Sequence, residues 1–226
     1  MRFCATGAGA GTSHDRAGIS CQEAPRRGSR SDPMTTPAAT THGHGPTSKP
    51  SPWVERFAPL VPGGALVLDL AAGHGRHARL FAARGARVVA VDRNAAALST
   101  LQGIAKIETR VLDLESGPWP LSDERFDAIV VTNYLHRPSL PSLLAALSDD
   151  GVLIYETFAR GNETYGRPSN PDFLLQKDEL LRLVEQQLTV VAFEQGVVAA
   201  PPSSAVVQRL AAVGPGRPWP PPLPSG

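Results

Sequence analysis

Asp69, Gly73, Gly75 and Asp92 have the residue types and the spacing to bind a ligand. The first three close the run Val67-Leu68-Asp69-Leu70-Ala71-Ala72-Gly73-His74-Gly75. Asp92 follows Gly75 by seventeen residues, at the end of a second apolar run, Arg87-Val88-Val89-Ala90-Val91. Glycines at 73 and 75 let the backbone turn sharply and approach a ligand, while the free N–H groups of a following helix face the same space. A carboxylate at the end of the next strand can accept hydrogen bonds from both hydroxyls of a ribose. The chemistry on offer is recognition of an adenosine-type ligand.

Asp69 narrows the choice. The segment Gly73-His74-Gly75-Arg76-His77-Ala78 also satisfies the dinucleotide pattern G-x-G-x-x-A. A pyrophosphate over this turn would be repelled by a carboxylate four residues before Gly73, whereas an ammonium group would be attracted to it.

To hold these residues the chain needs a strand, a tight turn and a helix, and the patterns supply them. An apolar run, a glycine pair and helical spacing from Arg76 read as half of a βαβ unit. Val111-Leu112-Asp113-Leu114 reads as a third strand ending in an acid, and Arg125 to Asn133 as a fourth. Gly151 to Thr157 reads as a fifth, introduced by Asp149-Asp150-Gly151 as a turn. Ser51-Pro52 opens a short helix, as N-cap and first residue, expected beside the ligand cleft as a lid or flank. Further helices are expected at about 76–84, 94–102, 139–147 and 177–188, from apolar spacings of three and four. Thr189–Val198 and Ala205–Val213 are β-like runs joined by a connection too short for a parallel crossover, so they should pair as an antiparallel hairpin. The expected fold is α/β: a doubly wound, mostly parallel seven-stranded sheet ending in that hairpin.

The sequence resembles the class I S-adenosylmethionine-dependent methyltransferases, whose first motif runs hydrophobic-Asp-x-Gly-x-Gly-x-Gly where this chain has Asp69 to Gly75. Ala71 stands at the first of those glycines, implying that the backbone there needs no positive φ. The likeness spans roughly residues 51–213 and implies S-adenosyl-L-methionine as cofactor, whose ammonium and sulfonium suit Asp69 and which carries no phosphate. It implies a cofactor set of Asp69, Ala71, Gly73, Gly75, Arg76, Asp92, Arg93, Asp113, Leu114 and Asn133, with Asp113 at the adenine amino group. Class I methyltransferases end in such a hairpin, whereas ordinary dinucleotide dehydrogenase domains do not.

Acceptor chemistry is expected after strands four and five. Asn133-Tyr134-Leu135-His136-Arg137-Pro138 lacks the paired prolines of nucleic-acid amino-methyltransferases, which disfavours adenine-N6 methylation. His136 could act as a general base or cap a helix beginning near Ser139. Arg137 could hold an anion bidentately or be solvated. His74 and His77 read as a loop residue and a helix-face residue, with no third ligand that would make a metal site. The long stretch from Glu156 to Phe173, rich in Gly, Pro and Arg, has the character of a functional loop, and Phe158–Asn170 is expected to be a substrate lid. Combined with the His-Arg pair it is similar to the small bacterial methyltransferases of the tellurite-resistance type. That likeness implies a small acceptor, including oxyanions such as tellurite or selenite. Arg160 and Arg167 would suit an oxyanion, or could pin the loop to Glu156 or Glu163. The acceptor candidates are thus Tyr134, His136, Arg137, Arg160 and Arg167.

Composition separates the ends from the middle. Residues 1–50 are rich in Gly, Ser, Thr, Ala and Pro and carry six of the 22 basic and three of the 21 acidic residues, leaving 16 basic against 18 acidic in the rest. A mildly acidic body lacks the basic stripe of a nucleic-acid binder. No apolar run is long enough to span a bilayer and no secretion signal is present, so a cytoplasmic protein acting on a small molecule is expected. Residues 1–50 are expected to be disordered, with residues 1–33 reading as an extension ahead of a start at Met34. The tail at 214–226 is expected to be extended and disordered. Both cysteines, Cys4 and Cys21, fall in the first segment, so residues 51–213 offer no thiol nucleophile and no thiolate metal site. Two other readings use the same residues: a nicotinamide-dependent oxidoreductase or epimerase, and a catalytically silent S-adenosylmethionine-binding protein.

Overall fold

The computed structural model describes residues 49–200 and 203–223, so the expectations for residues 1–48, Met34 and the two cysteines among them, lie outside the described residues. A helix, α1 (Pro52–Phe57), precedes β1 (Leu66–Leu70), α2 (Arg76–Ala83), β2 (Arg87–Asp92), α3 (Ala95–Ser99) and β3 (Ile107–Val111). Then come β4 (Phe126–Thr132), α4 (Leu140–Ala145), β5 (Leu147–Phe158), α5 (Glu179–Val184), β6 (Thr189–Ala200) and β7 (Ser203–Val213). The seven strands lie in the order β3-β2-β1-β4-β5-β7-β6. Strands β1 to β5 run parallel, and β7 is antiparallel to both β5 and β6. The expected mixed sheet and its terminal hairpin are therefore present.

Alternate residues of the central strands feed two cores. Leu68, Leu70, Val89, Val91, Ile129, Val131, Leu153 and Tyr155 pack with α4 and α5 on one face. On the other, Val67, Val88, Ala90, Ala128, Val130, Val152 and Ile154 pack with α1, α2 and α3. Burial on both faces is why these strands read as continuous apolar runs rather than as alternations. The chain moves outward from β1 to β3, then returns to β4 on the opposite flank of β1. This reversal opens a crevice outside the carboxyl ends of β1 and β4, where open α/β sheets bind their ligands.

The structure corrects several boundaries. The third strand is Ile107–Val111, not Val111–Leu114. It is a half-exposed edge strand in which Glu108 and Arg110 pair with each other, so its apolar signal is weak. Asp149 and Asp150 do not form a turn but lie inside β5. There the register shifts, so that Phe126 faces Leu147 while Ala128 faces Val152. The bulge has a partner in the tail: the Gly214 N–H donates to the Gly151 carbonyl and the Gly216 N–H to the Asp149 carbonyl, both at 2.8 Å. Arg217 donates to the Asp150 carbonyl at 3.2 Å. The first residues of the expected loose tail are therefore fastened to the sheet. Helices α3, α4 and α5 are shorter than their apolar spacing suggested. Among the described residues no helix is long and apolar enough to cross a membrane.

Candidate cofactor and acceptor site

The turn after β1 is built from left-handed backbone. Gly73 and Gly75 have φ of 55° and 72°, and a Cβ at Gly75 would come within 2.3 Å of Leu101 Cδ1. Ala71 also has a positive φ, 54°, contrary to the expectation from its side chain. The turn demands the conformation and Ala71 tolerates it at a cost of roughly 1 kcal/mol.

Two carboxylates hold this turn. Asp69 is 1 % exposed, and its Oδ2 accepts the Ala78 N–H at 2.8 Å, tying the end of β1 to the first turn of α2. Burial pushes its carboxyl up to about 7, against the opposing effects of that hydrogen bond and of Arg76. Asp92 accepts the Gly73 N–H on Oδ2 and the Asn94 N–H on Oδ1, each at 2.8 Å. Each oxygen keeps a second lone pair. Asn94 in turn caps α3 through the Ala97 N–H at 3.1 Å.

Beyond these carboxylates opens a crevice lined by the apolar residues Ala71, Leu112 and Leu114, by Tyr134, and by the charged residues Asp92, Arg93, Asp113 and Glu115. The segments after β1, β2, β3 and β4 meet here. Asp113 lies two residues beyond β3, exposed, with its carboxyl lowered by hydrogen bonds from Ser116 and the Glu115 N–H. Asn133, at φ 55°, donates its N–H to the Glu156 carbonyl at 2.9 Å and so extends the pairing of β4 with β5.

A buried polar cluster unforeseen in the sequence adjoins the turn. His77 lies on a helix face as expected, but on the buried face of α2, and its Nε2 accepts the Ser51 N–H at 3.1 Å. Its proton must therefore be on Nδ1, 3.4 Å from Thr132 Oγ1 and 4.0 Å from Asp69 Oδ1. Ser51 Oγ accepts the Trp53 N–H as N-cap and donates to Glu156 Oε1 at 2.8 Å, and Glu156 Oε2 pairs with Arg209 Nε at 2.6 Å. Arg76, partly buried, donates to the Lys49 carbonyl at 3.3 Å, with Glu156 and Asp69 as the carboxylates nearest in effect. Helix α1 is thus a buried flank, not a movable cover. The N-cap and Pro52 signalled the helix, but the partners of Ser51 lie 26 and 105 residues away and leave no local pattern.

The acceptor candidates divide. Tyr134 lines the crevice with the cofactor set. His136 is half-buried, its Nδ1 3.1 Å from Ser139 Oγ, which donates its one proton to the His136 carbonyl at 2.9 Å. Nδ1–H must then be the donor to Oγ, leaving a lone pair on Nε2. Arg137, part-exposed, is neither left to solvent alone nor open to an anion. It forks onto both oxygens of Glu179 at 2.7 and 3.0 Å and donates to the carbonyls of Asp172 and Leu174 at 2.7 and 2.9 Å.

Arg137 thereby fixes one foot of the loop at residues 159–175. The loop's ends are joined by Leu175 N–H to the Phe158 carbonyl and Arg160 N–H to the Leu175 carbonyl, both 2.9 Å. Buried Asn162 accepts the Val206 N–H of β7 at 3.1 Å. Arg160 and Arg167 do not pin the loop: Glu156 is paired with Arg209, Glu163 caps the Gly161 N–H, and neither arginine side chain has a partner among the described residues.

Residues 67–149 match a family model described as a methyltransferase domain. TehB from Haemophilus influenzae superposes with a TM-score of 0.59 at 18% identity, over 72% of this chain and 61% of that one. This chain therefore spans less than two thirds of that protein. A TehB-like S-adenosylmethionine-dependent methyltransferase from Corynebacterium glutamicum gives 0.53 at 18%, over 72% and 86%. The 1,6-didemethyltoxoflavin-N1-methyltransferase of Burkholderia thailandensis, solved with 1,6-didemethyltoxoflavin and S-adenosylhomocysteine, gives 0.52 at 21%, over 72% and 76%. At these identities the structural likeness speaks for the fold, while the family match speaks for the segment that builds the turn. No curated protein matches the sequence. Residues 67–149 thus match a methyltransferase domain, and the fold that carries them is similar to that of TehB and of the TehB-like enzyme.

Proposed function

We propose that the protein transfers a methyl group from S-adenosylmethionine to a small-molecule acceptor, with an oxyanion such as tellurite or selenite as the class best suited to its loop. The carrying observation is the charge of the crevice. Asp69 lies beneath the turn and Asp92, Asp113 and Glu115 line the opening, with Arg93 the single cation among its lining residues. That surface repels a pyrophosphate and favours a cationic ligand, which argues against the nicotinamide reading.

In this proposal the apolar walls at Ala71, Leu112 and Leu114 take the adenine, and the free lone pairs of Asp92 take the ribose hydroxyls. Asp69, whose charge a bound ammonium favours, and the polar residues around Arg76 and Asn133 orient the amino-acid end. When bound, the cofactor supplies an electrophilic methyl group. Positioning then supplies most of what the protein must add. For an oxygen or nitrogen acceptor, His136 Nε2 takes the proton lost as the new bond forms. For an oxyanion, the unpaired guanidinium groups of Arg160 and Arg167 attract the charge, and the loop at 159–175 covers it.

Turnover on a panel of oxyanions and small nitrogen and oxygen acceptors, followed by release of S-adenosylhomocysteine, tests the reading. Turnover lost in Arg160→Ala and Arg167→Ala, with cofactor affinity retained, supports the oxyanion class. Cofactor binding without turnover on any acceptor favours the silent binding protein instead.

A further inference from the structure

We propose that Tyr134 reads the 6-amino edge of adenine, donating its hydroxyl to a ring nitrogen beside the amino group, rather than contacting the methyl acceptor. The inference rests on the cofactor reading above. Tyr134 is 7 % exposed and lines the same crevice as Asp92 and Asp113. Its hydroxyl is buried and makes no hydrogen bond among the described residues. The Ser139 hydroxyl lies near, but it is engaged with the carbonyl and Nδ1 of His136 and closes no bond with Tyr134. A buried hydroxyl without a partner costs free energy unless a ligand completes it.

Three features fix the ligand chemistry. The backbone carbonyl of Tyr134 is held by the Tyr155 hydroxyl at 2.9 Å, from a fully buried position on β5, so the residue is mounted rigidly. Burial and the nearby carboxylates of Glu115 and Asp113 push the Tyr134 pKa up, so the phenol keeps its proton and acts as a donor. Those carboxylates can only accept. A donor beside acceptors matches an edge that offers an acceptor nitrogen beside an N–H₂ group, as adenine does through N1 or N7 next to its 6-amino group. A 6-oxo purine reverses the pattern and turns its carbonyl oxygen toward carboxylates.

The test is calorimetric titration of wild type and Tyr134→Phe with S-adenosylhomocysteine, its 1-deaza and 7-deaza analogues, and S-inosylhomocysteine. The expected results are about tenfold weaker binding of S-adenosylhomocysteine by the variant and a comparable preference of wild type for the adenosine over the inosine compound. One deaza analogue should bind both proteins equally, because the lost nitrogen and the lost hydroxyl form one contact. The melting temperature of the free variant should be unchanged or higher, since an uncompleted hydroxyl has been removed. Equal binding of S-adenosylhomocysteine by wild type and variant overturns the inference alone. No binding by wild type overturns the cofactor reading and the inference with it.

Discussion

Asp69 shows how one buried carboxyl links folding to ligand charge. Its folded pKa of about 7 lies above the usual carboxylate range. Between the two values the folded protein holds a proton that the unfolded chain has released. The stability from this group is therefore complete at low pH, falls as pH rises toward 7, and is level above it. Wild type should be less stable at pH 8 than at pH 5, by on the order of 1–3 kcal/mol from this residue. Asp69→Asn keeps an oxygen for the Ala78 N–H and should remove that share of the slope in denaturant titrations. An unchanged slope would place the titration elsewhere. Asp92 makes a different demand, because it serves both backbone and ligand. Asp92→Ala should weaken S-adenosylhomocysteine binding at least about tenfold and also cost the free protein about 1–3 kcal/mol, since the Gly73 and Asn94 N–H groups lose their acceptor. Loss of affinity with full stability would contradict the double role. At Ala71 the expected change runs the other way: Ala71→Gly relieves the left-handed strain and should raise stability by up to about 1 kcal/mol.

Among the elements, those whose signal is local were legible in the sequence. Buried parallel strands β1, β2 and β4 announce themselves as apolar runs, and the glycine turn and the N-cap at Ser51 announce their own conformations. Edge strand β3 did not, because its alternation of apolar and charged residues fits a strand that neither face fully buries. The bulge in β5 was invisible because Asp149-Asp150-Gly151 is turn-like by composition, and the contact with Gly214 that gives it purpose lies far along the chain. A Cβ at Gly214 would fall 2.1 Å from the Asp149 oxygen, so Gly214→Ala should release the tail and lower stability, as read by thermal unfolding and by proteolysis after Val213. Arg137 was misjudged for the same reason, since its partners lie 35 to 42 residues ahead. Its part-exposed fork onto Glu179 contributes only about 1 kcal/mol, so Arg137→Ala should fold. It should, however, loosen the loop at 159–175, raising the acceptor KM and the loop's protease sensitivity while leaving cofactor affinity intact. Arg137→Lys should restore little, because a point charge cannot replace a fork. A variant with unchanged KM would show that the loop's foot is irrelevant to acceptor binding.

At the scale of the whole molecule, strand order does what no single residue can. Reversal of direction between β1 and β4 brings the ends of four strands to one crevice, and the two-sided cores fix those ends in place. The antiparallel addition of β7 and β6 to β5 anchors Asn162 of the loop and supplies Arg209 to the buried cluster. This acid-lined crevice should select a cationic adenosine cofactor over a dinucleotide. Parallel calorimetric titrations of the wild-type protein with S-adenosylmethionine, S-adenosylhomocysteine and NAD test it most directly. Saturable binding of the first two at a single site, both weakened by Asp92→Ala, with no binding of NAD, is the expected result. Binding of NAD with neither S-adenosyl compound would contradict it.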